Sequence, residues 1–432
     1  MTKVRFFVAI LPAILLLVAS CSPVSRRALD RTFKATEARF HDHTGFMLYD
    51  PQERKAIYEY NSATYFTPAS NTKIFTLYTA LTLIGDSIPA LRYLGAGDSL
   101  IFWGTGDPSL LYDEVYNTDR VTSFLGGSGK SLYFASRNYQ TTHFGSGWAW
   151  DDYNDYYSAE RSSLPLYGNL IQLQVSPIDV RAMPEFFNKF VVSSAMSGSH
   201  RVLRDPYSNI VTIQSPATQS FKTSIPARID NDVIAHLLSD TLKRTVNLID
   251  MELPKNAHTF YATPSDSLYK VMMQESDNFI AEQLLLVAAG ILSDTLKPEI
   301  AIEYMKKNGL KDLADEPVWV DGSGLSRYNL FTPRSIVQLW EKIYAMVPRD
   351  RLFPLLAIGG KTGTILNWYK AEPPYIFGKT GSLSNNHCLS GYLVTRKGKT
   401  LIFSFMNSNF AAPSSEVRNN MQTILRQIYE KY

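Results

Sequence analysis

The chain has 432 residues, 45% of them hydrophobic and 19% charged, with a formal net charge of +3 at pH 7. That length provides for two or three lobes with cores of their own. So even a charge balance, with no basic block, excludes a nucleic-acid partner held by charge. Seven scattered histidines give no metal-ligand spacing, and no metal or organic cofactor is called for.

Lys3 and Arg5 precede an apolar run from Phe6 to Val18, followed by Ala19-Ser20-Cys21. A basic start, a short hydrophobic stretch and small residues at its end form a secretory signal, too short for a spanning helix of about 20 residues. "LVASC" also resembles the lipobox of bacterial lipoproteins, in which the cysteine becomes the acylated first residue. Residues 1–20 are therefore expected to be a signal peptide, with the protein exported to the cell envelope or periplasm. A lipid on Cys21 would make the membrane a partner. Cys388 is then alone, and no intramolecular disulfide is possible.

"GFMLYDPQERKAIYEY", residues 45–60, reads as a hairpin around a Pro-containing turn. "FTPASNTKIF", residues 66–75, places Ser70 and Lys73 at the start of a helix whose Ile74, Phe75, Leu77, Tyr78, Ala80 and Leu81 are apolar on nearly every side. Such a helix is buried in the core. Pro68 restricts the entry and Gly85 ends the run. From 89 to 257 the texture changes to short β-like runs, many turn residues and a Trp/Tyr/Asp-rich patch, without repeats. Helical pattern returns in "PSDSLYKVMM" and "NFIAEQLLLVAAGIL". Two β-runs, "CLSGYLVT" and "TLIFSFMN", form a second hairpin. An amphipathic helix from Ser414 or Ser415 closes the chain, with Val417, Met421, Ile424, Leu425 and Ile428 on one face. Strands at both ends of the chain predict one antiparallel sheet built from both. The fold class is α/β (α+β), with a discontinuous catalytic domain (21–88 and 258–432) and an inserted, mainly β accessory region (89–257).

Three short motifs carry the chemistry. Residues three apart share a helix face, so Ser70 and Lys73 lie side by side at a helix N-terminus, where unpaired N–H groups stabilise negative charge. Serine alone is a poor nucleophile and needs a base. A neutral lysine serves if burial and a second cation depress its pKa. "ESDNFIAE" supplies Ser276-Asp277-Asn278 between two helical stretches, and "FGKTGSLSNNHCLSGY" supplies Lys379-Thr380-Gly381 before the terminal hairpin. A second copy of the last string, Lys361-Thr362-Gly363, runs into "ILNWYKAEPPY", where two prolines preclude a central strand. Strand context therefore selects Lys379. "GGSGKS" at 126–131 is a turn, since the phosphate-loop pattern needs glycine where Phe124 stands.

Serine-x-x-lysine, serine-x-asparagine and lysine-threonine-glycine, in this order, resemble the signature of class A β-lactamases and penicillin-binding proteins. "YFTPASNTKIFT", "GTGDPSLL", "GWAWDDYNDYY", "MMQESDNFIAEQLL", "VDGSGLSRYNLFTP" and "GKTGSLSNNHCLSGY" narrow the resemblance. It is to the D-alanyl-D-alanine carboxypeptidase/endopeptidase family of class C low-molecular-mass penicillin-binding proteins, peptidase family S13. The resemblance implies a transpeptidase-like fold, with an antiparallel sheet flanked by helices and accessory domains inserted between the first two motifs. The insertion here is shorter than in the larger members.

The resemblance also assigns roles. Ser70 attacks the carbonyl between the terminal D-alanines of a peptidoglycan stem peptide and Lys73 takes its proton. Ser276 relays a proton to the leaving amine, and Asn278 holds the substrate amide and Lys73. Lys379 and Thr380 face the terminal carboxylate. Gly381 lets the strand approach the substrate closely, and the N–H groups of Ser70 and Ser382 form the oxyanion hole. β-Lactam antibiotics would bind covalently. Arg327, with Leu325, borders the cleft. Trp148, Asp151 and Tyr156 would contact the distal, diamino-acid end of the peptide, with Asp152 an equal candidate by position. Two rival functions are a β-lactamase on the same scaffold and a non-catalytic peptidoglycan-binding lipoprotein.

Overall fold

The computed structural model describes residues 25–115, 119–194, 201–214 and 219–432. The signal segment 1–20 and Cys21 lie outside them. Helix α1 (Arg26–Phe40) is opened by Ser25, whose side chain accepts from the Ala28 N–H. Strands β1 (His43–Asp50) and β2 (Lys55–Tyr60) pair antiparallel as a hairpin. Helix α2 (Lys73–Leu83) starts later than the sequence pattern indicates, because Ala69–Thr72 first make a 3₁₀ turn.

The middle of the chain builds its own core. Strands β3 (Ser87–Ala96), β4 (Ser99–Gly104), β5 (Ser131–Ala135), β6 (Val246–Leu248) and β7 (His258–Pro264) form one sheet in the order β6-β5-β4-β3-β7. Two three-stranded sheets, within residues 170–226, complete this region. Phe102, Phe134, Ile171 and Leu173 pack together at its centre.

Helices α3 (Ser265–Gln274), α4 (Asn278–Ser293) and α5 (Pro333–Met346) follow. Strands β8 (Ala357–Ile358), β9 (Ile376–Leu383), β10 (Asn386–Val394) and β11 (Thr400–Ser408) then lead to helix α6 (Ser414–Lys431). The last four strands join the first hairpin in one antiparallel sheet, ordered β8-β9-β10-β11-β1-β2. Phe46 of β1 lies opposite Phe405 of β11, so the two ends of the chain meet in register.

Both faces of this sheet are covered, and the strand period of two divides its side chains between two cores. Leu401, Phe403 and Phe405 pack with Phe33 of α1 and Met421 of α6. Ile402 and Met406 point the other way, towards Ile74, Ile280 and Trp340 of α2, α4 and α5. Helix α4 is buried at every residue from Phe279 to Ala289. Its polar Glu282 and Gln283 must therefore find partners inside the protein.

Candidate active site

The 3₁₀ turn at Ala69–Thr72 sets the first pair. Three residues per turn bring positions i and i+3 into line. Lys73 Nζ thus donates to Ser70 Oγ at 2.9 Å, and also to Asn278 Oδ1 at 2.5 Å and to the Ser323 carbonyl at 2.7 Å. Asn71 ties this turn to the sheet: its Nδ2 donates to the Lys379 carbonyl at 3.1 Å and its Oδ1 accepts from Ser390 Oγ at 2.6 Å.

The second motif occupies the bend between α3 and α4. Ser276 takes a left-handed conformation, φ 65°, which turns the chain before Asp277 caps α4 through the Ile280 N–H. Asn278 Nδ2 donates to the Tyr157 carbonyl at 2.9 Å, which aims its Oδ1 at Lys73. Asp277 turns inward, away from its two neighbours in the motif, and accepts from the Tyr112 hydroxyl at 2.6 Å.

The third motif runs along β9. Lys379 Nζ donates to Ser276 Oγ at 2.8 Å and to the Thr380 carbonyl at 2.9 Å. Lys361 is elsewhere: its ammonium lies at the surface, 3.5 Å from Glu372. The segment after it contributes differently, through Thr364 Oγ1 at 2.7 Å from Thr380 Oγ1. A Cβ on Gly381 would come 2.4 Å from the Pro68 carbonyl oxygen and 2.9 Å from the Asn71 nitrogen. The bare backbone at Gly381 therefore makes room for the turn that carries Ser70.

Burial governs the electrostatics. Both lysines are fully buried. Desolvation lowers the Lys73 pKa to about 8, while Asp277, Asp321 and Glu282 pull it upward. The lysine–lysine repulsion anticipated for Lys73 falls on Lys379, whose pKa burial and Lys73 together push well below its ordinary value. Glu282 accepts from the Ser323 N–H at 2.7 Å and from Arg161 at 3.4 Å. Burial and Asp321 raise its pKa to about 7. Asp321 accepts from the Gly324 and Ser326 N–H groups and from Asn329, holding the loop that presents the Ser323 carbonyl to Lys73.

Ser70 stands between two cavities. One, of about 280 Å³, is lined by Ser70, Ser276, Thr380 and Ser382, with His387 and Arg418 behind them. The other, of about 730 Å³, is lined by Ser70, Asn278, Leu325, Arg327, Asp151 and Asp152. The two share Ser70 and Ser382 and form the halves of one cleft. Trp148 and Tyr156 stand off its wall. The Trp148 indole donates to Asp321 at 3.0 Å, which braces the loop, and the Tyr156 ring is 65% exposed. Sequence reading missed Tyr112, Glu282, Asp321, His387 and Arg418. The only local signal for the acids was their polarity within apolar or glycine-rich runs.

A serine and two buried lysines converging on one cleft, in a helix-flanked antiparallel sheet, are the arrangement of the penicillin-binding-protein and serine β-lactamase fold. The model of the D-Ala-D-Ala carboxypeptidase 3 (S13) family matches residues 26–428, and the chain belongs to that family. It is a hydrolase, a D-Ala-D-Ala carboxypeptidase by family. The D-alanyl-D-alanine carboxypeptidase DacB of Haemophilus influenzae is 23% identical over 84% of this chain and 85% of its own length. A D-alanyl-D-alanine carboxypeptidase of Actinomadura sp. (strain R39) is 24% identical over 86% and 78%. The crystal structure of penicillin binding protein 4 (dacB) from H. influenzae shares the fold, with a TM-score of 0.75 at 19% identity over 92% of this chain and 99% of that one. A penicillin G-acylated predatory endopeptidase from Bdellovibrio bacteriovorus has a TM-score of 0.50 at 14% identity, over 89% and 93%.

Among the described residues no helix is long and apolar enough to cross a membrane.

Proposed function

We propose that the protein cleaves the bond before the terminal residue of peptidoglycan stem peptides, and cross-links of the same chemistry, through an acyl-enzyme on Ser70. The observation that carries this reading is the 2.9 Å contact between Lys73 Nζ and Ser70 Oγ at the junction of the two cavities. Neutral Lys73 takes the hydroxyl proton as Oγ bonds to the carbonyl carbon. The N–H groups of Ser70 and Ser382 receive the oxyanion, each such donor contributing about 3–4 kcal/mol. As the C–N bond breaks, Ser276 passes its proton to the leaving amine and is reprotonated from the Lys73 ammonium, which returns Lys73 to its neutral form, with Lys379 holding the Ser276 hydroxyl. Water then hydrolyses the ester.

The larger cavity accepts the acyl side of the peptide. Asn278 and Arg327 flank the chain, and Asp151 and Asp152 give its far wall the charge that pairs with the ammonium of a diamino acid. Penicillin acylates the same serine in this reading, which the penicillin G-acylated Bdellovibrio endopeptidase of like fold supports. An enzyme that acts on peptidoglycan meets its substrate in the cell envelope. Export by residues 1–20 and acylation of Cys21 would hold it at a membrane surface.

The test uses two substrates. The wild type should release D-alanine from diacetyl-lysyl-D-alanyl-D-alanine and take up labelled penicillin for hours, and Ser70→Ala should do neither. Labelling that survives the substitution removes Ser70 as nucleophile. Penicilloyl release within seconds favours a β-lactamase instead.

A further inference from the structure

The smaller cavity holds a cation that the mechanism above does not use. Arg418 projects from the first turns of α6 beside the end of β9, and its Nη2 donates to Ser382 Oγ at 3.3 Å. Its Nε is buried and has no hydrogen-bond partner among the described residues. Among the described residues, no ion pair within 4.0 Å neutralises the guanidinium. A part-buried arginine without a counter-charge is costly, and an arriving anion offsets that cost.

Its neighbours sharpen the argument. Lys379 is wholly buried, its ammonium is committed to Ser276 and Thr380, and its environment disfavours the charged form. His387 Nδ1 lies 2.7 Å from Ser382 Oγ, and burial, Arg418 and Lys379 push its pKa to about 3, so it is neutral at physiological pH. Thr380 and Ser382 supply hydroxyls and no charge. Arginine stays protonated throughout. The permanent positive charge on this wall therefore comes from α6, although the lysine motif is on β9.

We propose that Arg418 is the specificity-determining cation for a carboxylate on the leaving side of the substrate, gripping it together with the Ser382 hydroxyl that Arg418 and His387 hold in place. The proposal rests on the reading of Ser70 as nucleophile, which puts the leaving group in this cavity. It assigns to Arg418 the charge recognition that the family resemblance gave to Lys379.

The experiment compares diacetyl-lysyl-D-alanyl-D-alanine with the same peptide ending in a carboxamide, on wild type, Arg418→Gln and Arg418→Lys. The readout is the ratio of kcat/KM for acid over amide, which does not depend on how much of a variant is folded. Arg418→Gln should lower that ratio by about tenfold to a hundredfold, the range of one charge-assisted hydrogen bond, and Arg418→Lys should restore part of it. A ratio that stays at the wild-type value in Arg418→Gln overturns the proposal. Ser70→Ala is run alongside. Turnover or labelling that survives there refutes the nucleophile reading, whatever the ratio shows.

Discussion

The Tyr112 hydroxyl donates to the carboxylate of Asp277 at 2.6 Å, which ties the inserted region to the N-terminus of α4. Asp277 is also the foremost of the acids that raise the proton affinity of Lys73 against the effect of burial. Asp277→Asn keeps an oxygen for the Ile280 N–H, and asparagine caps helices about as well as aspartate, so the fold should survive with a loss of no more than about 2 kcal/mol. With the negative charge gone, the Lys73 pKa falls further. The acidic limb of kcat/KM against pH should move to lower pH; a move to higher pH would contradict this electrostatic account.

The wild-type profile follows from the same lysine. Only neutral Lys73 can accept the serine proton, and the neutral form dominates above its pKa. With that pKa at about 8, acylation by penicillin should speed up about tenfold per pH unit on the acid side and level off above it. Stopped-flow acylation between about pH 6 and pH 9 checks the slope. A flat profile would remove Lys73 as the base.

The two lysine-threonine-glycine strings can be separated by substitution. Lys379→Ala removes the donor to Ser276 and should cut kcat/KM by about a hundredfold to a thousandfold, as losses of preorganised donors do. Lys361→Ala touches a surface pair with Glu372 and should change stability by no more than about 0.5 kcal/mol, with turnover near wild type. The reverse ranking in a peptide-release assay would transfer the role to Lys361.

Gly324 marks a close approach of two backbones. Its φ is 85°, and a Cβ there would lie 1.9 Å from the Ala69 carbonyl oxygen, which has no freedom to swing aside. Gly324→Ala should cost at least about 2 kcal/mol and shift the Ser323 carbonyl off Lys73. Thermal melting and penicillin labelling should both fall. A variant with unchanged melting and labelling would show that the loop yields without cost.

Much of the fold could be read locally. The hairpin at residues 43–60 shows as two β-rich runs around a Pro-containing turn, the helix after Lys73 as a run apolar on nearly every side, and the helix from Ser414 by its 3.6 period. The register of β1 against β11 could not, because it joins residues more than three hundred positions apart. The aromatic patch shows a different limit. Its composition marked a polar, aromatic wall, but the direction in which each ring points depends on partners from another part of the chain. Trp148 turns to Asp321 and leaves Asp151 and Asp152 on the cavity. Arg418 left no local trace at all, since an arginine on the polar side of an amphipathic helix is what any solvated face shows.

Sequence alone determined the chemical inventory: a serine and lysine three apart at a helix entry, a serine-x-asparagine at a helix junction, and a lysine-threonine-glycine before a terminal hairpin. These are local because each needs only a turn or a strand to set its geometry. Tertiary structure decided which groups carry charge and toward what they are aimed. Desolvation and Coulomb forces depend on everything packed around a group, so the pKa of Lys73 near 8, the contact of Asp277 with Tyr112 and the place of Arg418 on the smaller cavity exist only once the chain has folded.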